Sequence, residues 1–225
     1  MACVLGNTII PGVPGISMRR PEYFHAHRVM KTWFSDEVFL LNANDEAEVL
    51  EFGDLLLLNK DAILINVGLR TTESSVKSIR NLLFQIGFSE IGLIDLPRRA
   101  DTLHLDMYCN VANQDLMISK RFLKYYPVRI WTESGSRFEM YEEFIARHGF
   151  EIYWIDEYDP SPDLNFFHVN PETMLISTKA NKRMLRKHPK LKNKNLIEVD
   201  VAELEKGGGG IRCMTLPLRR KPNEY

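Results

Sequence analysis

Leu55-Leu-Leu-Leu-Asn-Lys-Asp-Ala-Ile-Leu-Ile65 joins two apolar runs through Asn59, with Thr72-Glu-Ser-Ser-Val-Lys-Ser-Ile-Arg-Asn-Leu-Leu-Phe-Gln-Ile86 and Ile91-Gly-Leu-Ile-Asp-Leu96 following. Asn close to Asp between β-rich runs is hairpin chemistry. Val76, Ile79, Leu82, Leu83 and Ile86 then fall at helical three-four spacing, with Ser74 or Ser75 as the capping residue. The last run is short and apolar, which predicts a buried strand. The stretch therefore reads as one ββαβ unit.

The opening turn recurs in Gly6-Asn-Thr-Ile-Ile, Asn113-Gln-Asp-Leu-Met-Ile and Asn170-Pro-Glu-Thr-Met-Leu-Ile, the asparagines lying 52 to 57 residues apart. Asn165-Phe-Phe-His-Val supplies the strand before the last of them. Matching third strands are predicted at Val38-Phe-Leu-Leu, Glu151-Ile-Tyr-Trp-Ile and Leu196-Ile-Glu-Val, and a second helix from about Arg137 to His148. Units that recur at this period are too small to stand alone and share a core by stacking around an axis or along a line. The expected organisation is a single domain over 1–225, with repeats at about 1–45, 46–100, 101–158 and 159–205. Ile211-Arg-Cys-Met-Thr-Leu-Pro-Leu reads as one more strand within a closing segment 206–220, the beginning of a fifth unit.

With 225 residues, 44% of them hydrophobic, the chain can bury a sizeable core. Lys and Arg number 29 against 30 Asp and Glu, so no overall field gathers nucleic acid or an anionic membrane, and neither is an expected partner. The basic run from Lys179 to Lys194 carries no interleaved aromatic residue for base stacking and reads as solvated helix surface. Cys3, Cys109 and Cys213 are too few and too scattered for a disulfide framework or a zinc site, so no metal and no cofactor is expected. Without a membrane-length apolar run or a basic leader, the expected location is the cytoplasm.

Cys213 follows Gly207-Gly-Gly-Gly-Ile-Arg212. Successive glycines let a substrate approach the main chain, although a flexible loop with a buried small thiol is the competing reading. The Lys-Ser or Lys-Thr that ends a phosphate-binding loop is missing here. A thiol nucleophile needs a partner for proton transfer. In Leu103-His104-Leu105-Asp106 the alternation of a strand would turn the imidazole and the carboxylate to one face, though a solvent-facing polar edge has the same pattern. Glu51-Phe-Gly-Asp54 places two carboxylates at the mouth of an apolar run, where a guanidinium is a natural partner. Arg70, in Gly68-Leu-Arg-Thr-Thr, precedes a helix and could hold an anion; Arg19 and Arg20 sit at the matching place one repeat earlier, and a structural role fits both positions equally well.

In this order, Met18-Arg-Arg-Pro-Glu, Glu51-x-Gly-Asp54, Gly68-x-Arg70-Thr, Leu103-His-Leu-Asp106 and the glycine run before Arg212-Cys213-Met resemble the guanidino-modifying superfamily of arginine deiminases, dimethylarginine hydrolases and amidinotransferases, the last motif being nearest to arginine deiminases. The resemblance implies an α/β fold of the pentein type, a propeller of five ββαβ units, of which about four and a closing strand are present. It implies that Cys213 attacks a guanidinium carbon, that His104 protonates the departing amine and then activates water, and that Glu51 orients the cation and assists His104. Asp106 would hold one edge of the guanidinium, Arg19 and Arg70 the substrate's α-carboxylate, and Asp54 completes the substrate-binding set. The implied reaction is L-arginine to L-citrulline and ammonia, with amidino transfer or dimethylarginine hydrolysis as alternatives in the superfamily. Phe52 stands where the family usually has a second glycine. Members also carry an acidic motif, whose aspartate completes the guanidinium clamp, ahead of the region matching Cys3-Val-Leu-Gly-Asn; this chain begins after it, which motivates a second class of reading, a non-catalytic relative that binds ligand or protein. A sheet edge left open by an incomplete ring would favour a homo-oligomer.

Overall fold

Local turn chemistry sets the strand pairs, and apolar periodicity seats the helices on them. The structure is a computed structural model that describes residues 1–34, 49–98, 103–156, 158 and 160–218. Two compact units divide the chain, Met1–Arg99 with Val128–Phe138, and Ala100–Pro127 with Glu139–Tyr225.

In the first unit β1 (Ala2–Leu5) and β2 (Thr8–Pro11) form an antiparallel hairpin across Gly6 and Asn7, and α1 (Arg20–Trp33) follows. β3 (Leu55–Leu57) turns back onto β4 (Ala62–Asn66) because the Asn59 side-chain oxygen accepts from the Asp61 and Ala62 amides at 2.8 and 2.9 Å. All five residues of β4 are buried, as befits a strand that pairs in parallel with β5 (Glu90–Ile94). Between them α2 (Glu73–Ile86) buries Val76, Ile79 and Leu83 completely, each contributing about 1.5–3 kcal/mol of apolar burial. Its cap is Thr72, whose oxygen accepts from the Ser75 amide at 3.2 Å, rather than Ser74 or Ser75; the Ser75 hydroxyl instead accepts from the Val49 amide at 3.0 Å. Further along the chain come β6 (Cys109–Asn113) and β7 (Leu116–Lys120) of the second unit, then β8 (Pro127–Thr132) and β9 (Gly135–Met140), giving the sheet order β3-β4-β5-β8-β9.

The second unit repeats the same logic. β6 and β7 are antiparallel, α3 (Tyr141–Arg147) follows the β8–β9 insertion, and β10 (Glu151–Ile155) pairs in parallel with β7. β11 (Phe167–Asn170) turns onto β12 (Thr173–Ser177) with Asn170 accepting from the Glu172 amide at 3.0 Å. Asn181 caps α4 (Lys182–Lys187), and β13 (Asn195–Val199) lies parallel to β12. Leu116, Ile118, Leu164, Phe166, Ile176 and Leu185 centre this unit's core. The molecule is thus a mixed α/β fold.

Several expectations need correction. The helix predicted from about Arg137 is strand through Met140, held at β5 by an Arg137–Glu90 ion pair of 2.6 Å, and helical only from Tyr141. Residues 211–218 form no strand. The Met214 amide donates to the Gly210 and Ile211 carbonyls, and the Thr215 amide to that of Arg212, all at 3.2 Å, so the segment is a turn. Nor is the basic run all solvated surface: Lys194 is buried, its ammonium donating to the Pro171 carbonyl at 2.6 Å and to Asn113 at 3.3 Å, while Lys190 pairs with Asp115 and Glu151. Burial lowers the Lys194 pKa. The strand expected at Val38-Phe-Leu-Leu lies outside the described residues.

Candidate active site

Cys213 sits in the turn after the glycine run, in the second unit. Its main-chain amide donates to the Asn165 side-chain oxygen at 3.1 Å, and the Asn165 amide nitrogen donates to Sγ at 3.2 Å. Asp106 Oδ2 lies 3.5 Å from Sγ and 2.6 Å from the Arg212 guanidinium. Among the described residues its Oδ1, buried, has no hydrogen-bond partner. The glycines are needed here on two counts. Gly209 has φ +136°, and a Cβ on it would stand 3.4 Å from Sγ; a Cβ on Gly210 would stand 2.9 Å from the Asn165 side chain.

Cys213 keeps exposed surface as a residue, but its thiol is packed among protein groups. Desolvation first, and the Asp106 carboxylate second, push the thiol up to about 12, against the Gly210 main chain, the Asn165 amide and Arg212, which pull it down. At neutral pH it is therefore a thiol, and a cation placed beside it would favour the thiolate.

His104 and Asp106 do not share the face of a strand. Leu105–Met107 is a 3-10 turn that His104 opens in extended conformation, its carbonyl accepting from the Met107 amide at 3.1 Å. The turn carries Leu105 and Asp106 inward together and leaves His104 half-buried.

In the first unit Glu51, buried, gathers both predicted arginines. Arg70 lies 3.5 Å from its Oε1 and Arg19 3.5 Å from its Oε2, while the Gly15 amide donates to Oε1 at 2.7 Å. Arg19 also pairs with Glu22 at 3.1 Å. Thr71 braces the Glu51 main chain, its hydroxyl lying 3.2 Å from both the amide and the carbonyl. Asp54 is fully buried and accepts from Asn66 at 2.8 Å, and Asn66 in turn accepts from the Leu96 amide. Phe52 packs into the hydrophobic core of this unit.

Nothing in the sequence pattern gives Asn165, Gly15 or Thr71 a role at these carboxylates or at Cys213. Asn165 was legible only as the polar start of an apolar run, Asn165-Phe-Phe, and nothing in that pattern points to a cysteine 48 residues away. Among the described residues no three His, Cys, Asp or Glu side chains are placed to hold a metal ion, and no helix is long and apolar enough to cross a membrane.

Comparison with known proteins agrees with this architecture. The arginine deiminase of Borreliella afzelii is 26% identical across 96% of this chain and 58% of its own length. That of Mycoplasma capricolum is 24% identical across 77% and 48%. The chain spans about half the length of the arginine deiminases it matches. Among solved structures, a dimethylarginine dimethylaminohydrolase adduct with 4-chloro-2-hydroxymethylpyridine superposes with a TM-score of 0.70 at 21% identity, covering 96% of this chain and 75% of that one. The inosamine-phosphate amidinotransferase of Streptomyces griseus gives 0.71 at 15% identity, covering 100% and 68%. At such identities these likenesses speak for the fold. A family model for arginine deiminase matches residues 2–143, well over half of the sequence, and the chain belongs to the arginine deiminase family.

Proposed function

We propose that the chain is a guanidino-group hydrolase that converts L-arginine to L-citrulline and ammonia through a thiouronium intermediate on Cys213. One observation carries this reading: Asp106 holds a buried oxygen that has no hydrogen-bond partner among the described residues, and its other oxygen lies 3.5 Å from the Cys213 sulfur. A guanidinium offers planar N–H donors suited to such a carboxylate, and docking one there sets its carbon beside the sulfur. Its charge also offsets the desolvation and the Asp106 field that keep the thiol protonated.

In the reaction the Cys213 thiol passes its proton to His104, the resulting thiolate adds to the guanidinium carbon, and the carbon–nitrogen bond to the departing amine breaks. His104 gives that nitrogen a proton and ammonia leaves. A water deprotonated by His104 then adds to the same carbon, the carbon–sulfur bond breaks, and citrulline and the cysteine sulfur are released. The roles implied for Glu51, Arg19, Arg70 and Asp54 remain part of this proposal, as does a single catalytic domain of propeller-like ββαβ units. The three cysteines lie outside any disulfide and fit a reducing cytoplasm.

Purified protein incubated with L-arginine should form citrulline and ammonia, and Cys213→Ala should lower both to background. Citrulline formation that survives in Cys213→Ala, or its absence from the parent chain, defeats the reading. An amidinotransferase has the same fold at a TM-score of 0.71. Ornithine as product, formed only with an added amine, would shift the assignment from hydrolysis to amidino transfer.

A further inference from the structure

We propose that Asn165 is a positioning residue for the Cys213 thiol, its amide fixing the cysteine main chain through the oxygen and donating to the sulfur through the nitrogen. The inference rests on the reading of Cys213 as nucleophile and adds a residue to that site.

The orientation of the amide is settled by its neighbours. The Cys213 main-chain N–H can only donate, so the group 3.1 Å from it must be the Asn165 oxygen. The nitrogen is thereby turned to Sγ at 3.2 Å and to the Asp106 carbonyl at 3.4 Å, both acceptors. The backbone at Asn165 is itself clamped. Asn110, buried on β6, donates to the Leu164 carbonyl at 2.8 Å and to the Phe166 carbonyl at 3.1 Å, one residue to either side. The Asn165 carbonyl accepts from the Arg212 amide at 3.2 Å, and Gly210 leaves the side chain room that a Cβ would take.

A hydrogen bond to an ionised sulfur is stronger than one to a thiol, so a donor held here favours the reactive form. Two charged groups act on the same sulfur. Asp106 disfavours its ionisation and Arg212 favours it. Asn165 is a neutral member of the set beside the Gly210 main chain, and it also holds the cysteine backbone through the amide one residue after Arg212.

The test is the rate at which iodoacetamide labels Cys213 between pH 7 and 10, read by mass spectrometry. Asn165→Leu keeps the branched outline of the side chain and removes the donor. A rise of about one pH unit in thiol ionisation cuts the thiolate tenfold and returns roughly threefold in nucleophilicity, so labelling should slow by about threefold at pH 8. Gly210→Ala, which crowds the amide without changing any charge, should slow it in the same sense. Cys109, fully buried, reports folding: its rapid labelling would mark an unfolded variant and leave Gly210→Ala to decide. Labelling of Cys213 at the parent rate across the pH range in the folded variants would overturn the proposal, since a merely structural asparagine would lower stability and leave that profile in place. Citrulline formation, measured in parallel, tests the nucleophile separately.

Discussion

Glu51 and Asp106 are carboxylates buried to nearly the same depth, 2% and 1% exposed, and each lies beside arginine. Around Glu51 both oxygens are engaged: Oε1 takes the Gly15 amide and Arg70, and Oε2 takes Arg19. Around Asp106 the engagement is lopsided, with Arg212 on Oδ2 and Oδ1 left without a hydrogen-bond partner among the described residues. A buried carboxylate held between cations and a main-chain amide steadies the structure around it, whereas a buried oxygen without a partner is held at a cost. On the function proposed above, Asp106 is the carboxylate with an oxygen left to meet a guanidinium, while Glu51 is also held by partners within its own unit.

Asp106→Asn puts that contrast under the greatest strain. It should lower arginine hydrolysis by about 10²–10³-fold by removing the charge that a guanidinium meets. At the same time iodoacetamide should label Cys213 faster, because the carboxylate that pushes the thiol up is gone. Slower labelling together with lost turnover would mean that Asp106 acts by holding the turn, and the distinction from Glu51 would collapse. Glu51→Gln is the converse test. It keeps an acceptor for the Gly15 amide but leaves Arg19 and Arg70 without the shared anion, and should cost about 2–3 kcal/mol in urea unfolding, with faster exchange of the Gly15 amide. Unchanged stability in Glu51→Gln would assign Glu51 to ligand binding alone.

What the sequence could disclose follows the range of each interaction. Asn59 and Asn170 announce their hairpins because the side chain bonds amides two or three residues on, and the stripe Val76, Ile79 and Leu83 announces α2 because one helix face does the burying. Thr72, Ser74 and Ser75 are chemically interchangeable as caps, and the choice is made by Ser75 turning to Val49. Residues 211–218 carry strand-like composition, yet their conformation answers to Asn165, whose carbonyl takes the Arg212 amide across the fold. Leu103 to Asp106 alternates like a strand, but the 3-10 turn buries Leu105 and Asp106 side by side. The types of the site residues were therefore readable, while the brace around Cys213 depended on partners more than forty positions distant.

The smallest expected effect tests by pH the thiol that Asp106 faces. Folding raises the Cys213 thiol from its ordinary 9.0 to about 12, so between those values the unfolded chain has lost a proton that the folded chain retains. Stability from this group is complete below about pH 9 and declines as pH climbs towards 12. The residue is exposed enough for solvent to screen much of the effect, so at pH 10.5 the loss should be on the order of 1 kcal/mol. Urea unfolding under reducing conditions at pH 8 and pH 10.5 should show the parent losing that much more than Cys213→Ser. Cys109, pushed up to about 12 chiefly by burial, contributes equally to both proteins and cancels in the comparison. Because the Asp106 carboxylate is the second cause of the Cys213 shift, Asp106→Asn should recover part of the difference. If parent and Cys213→Ser lose stability in parallel from pH 8 to 10.5, the thiol is not held protonated by its surroundings, and the cation-assisted ionisation proposed for Cys213 loses its physical basis.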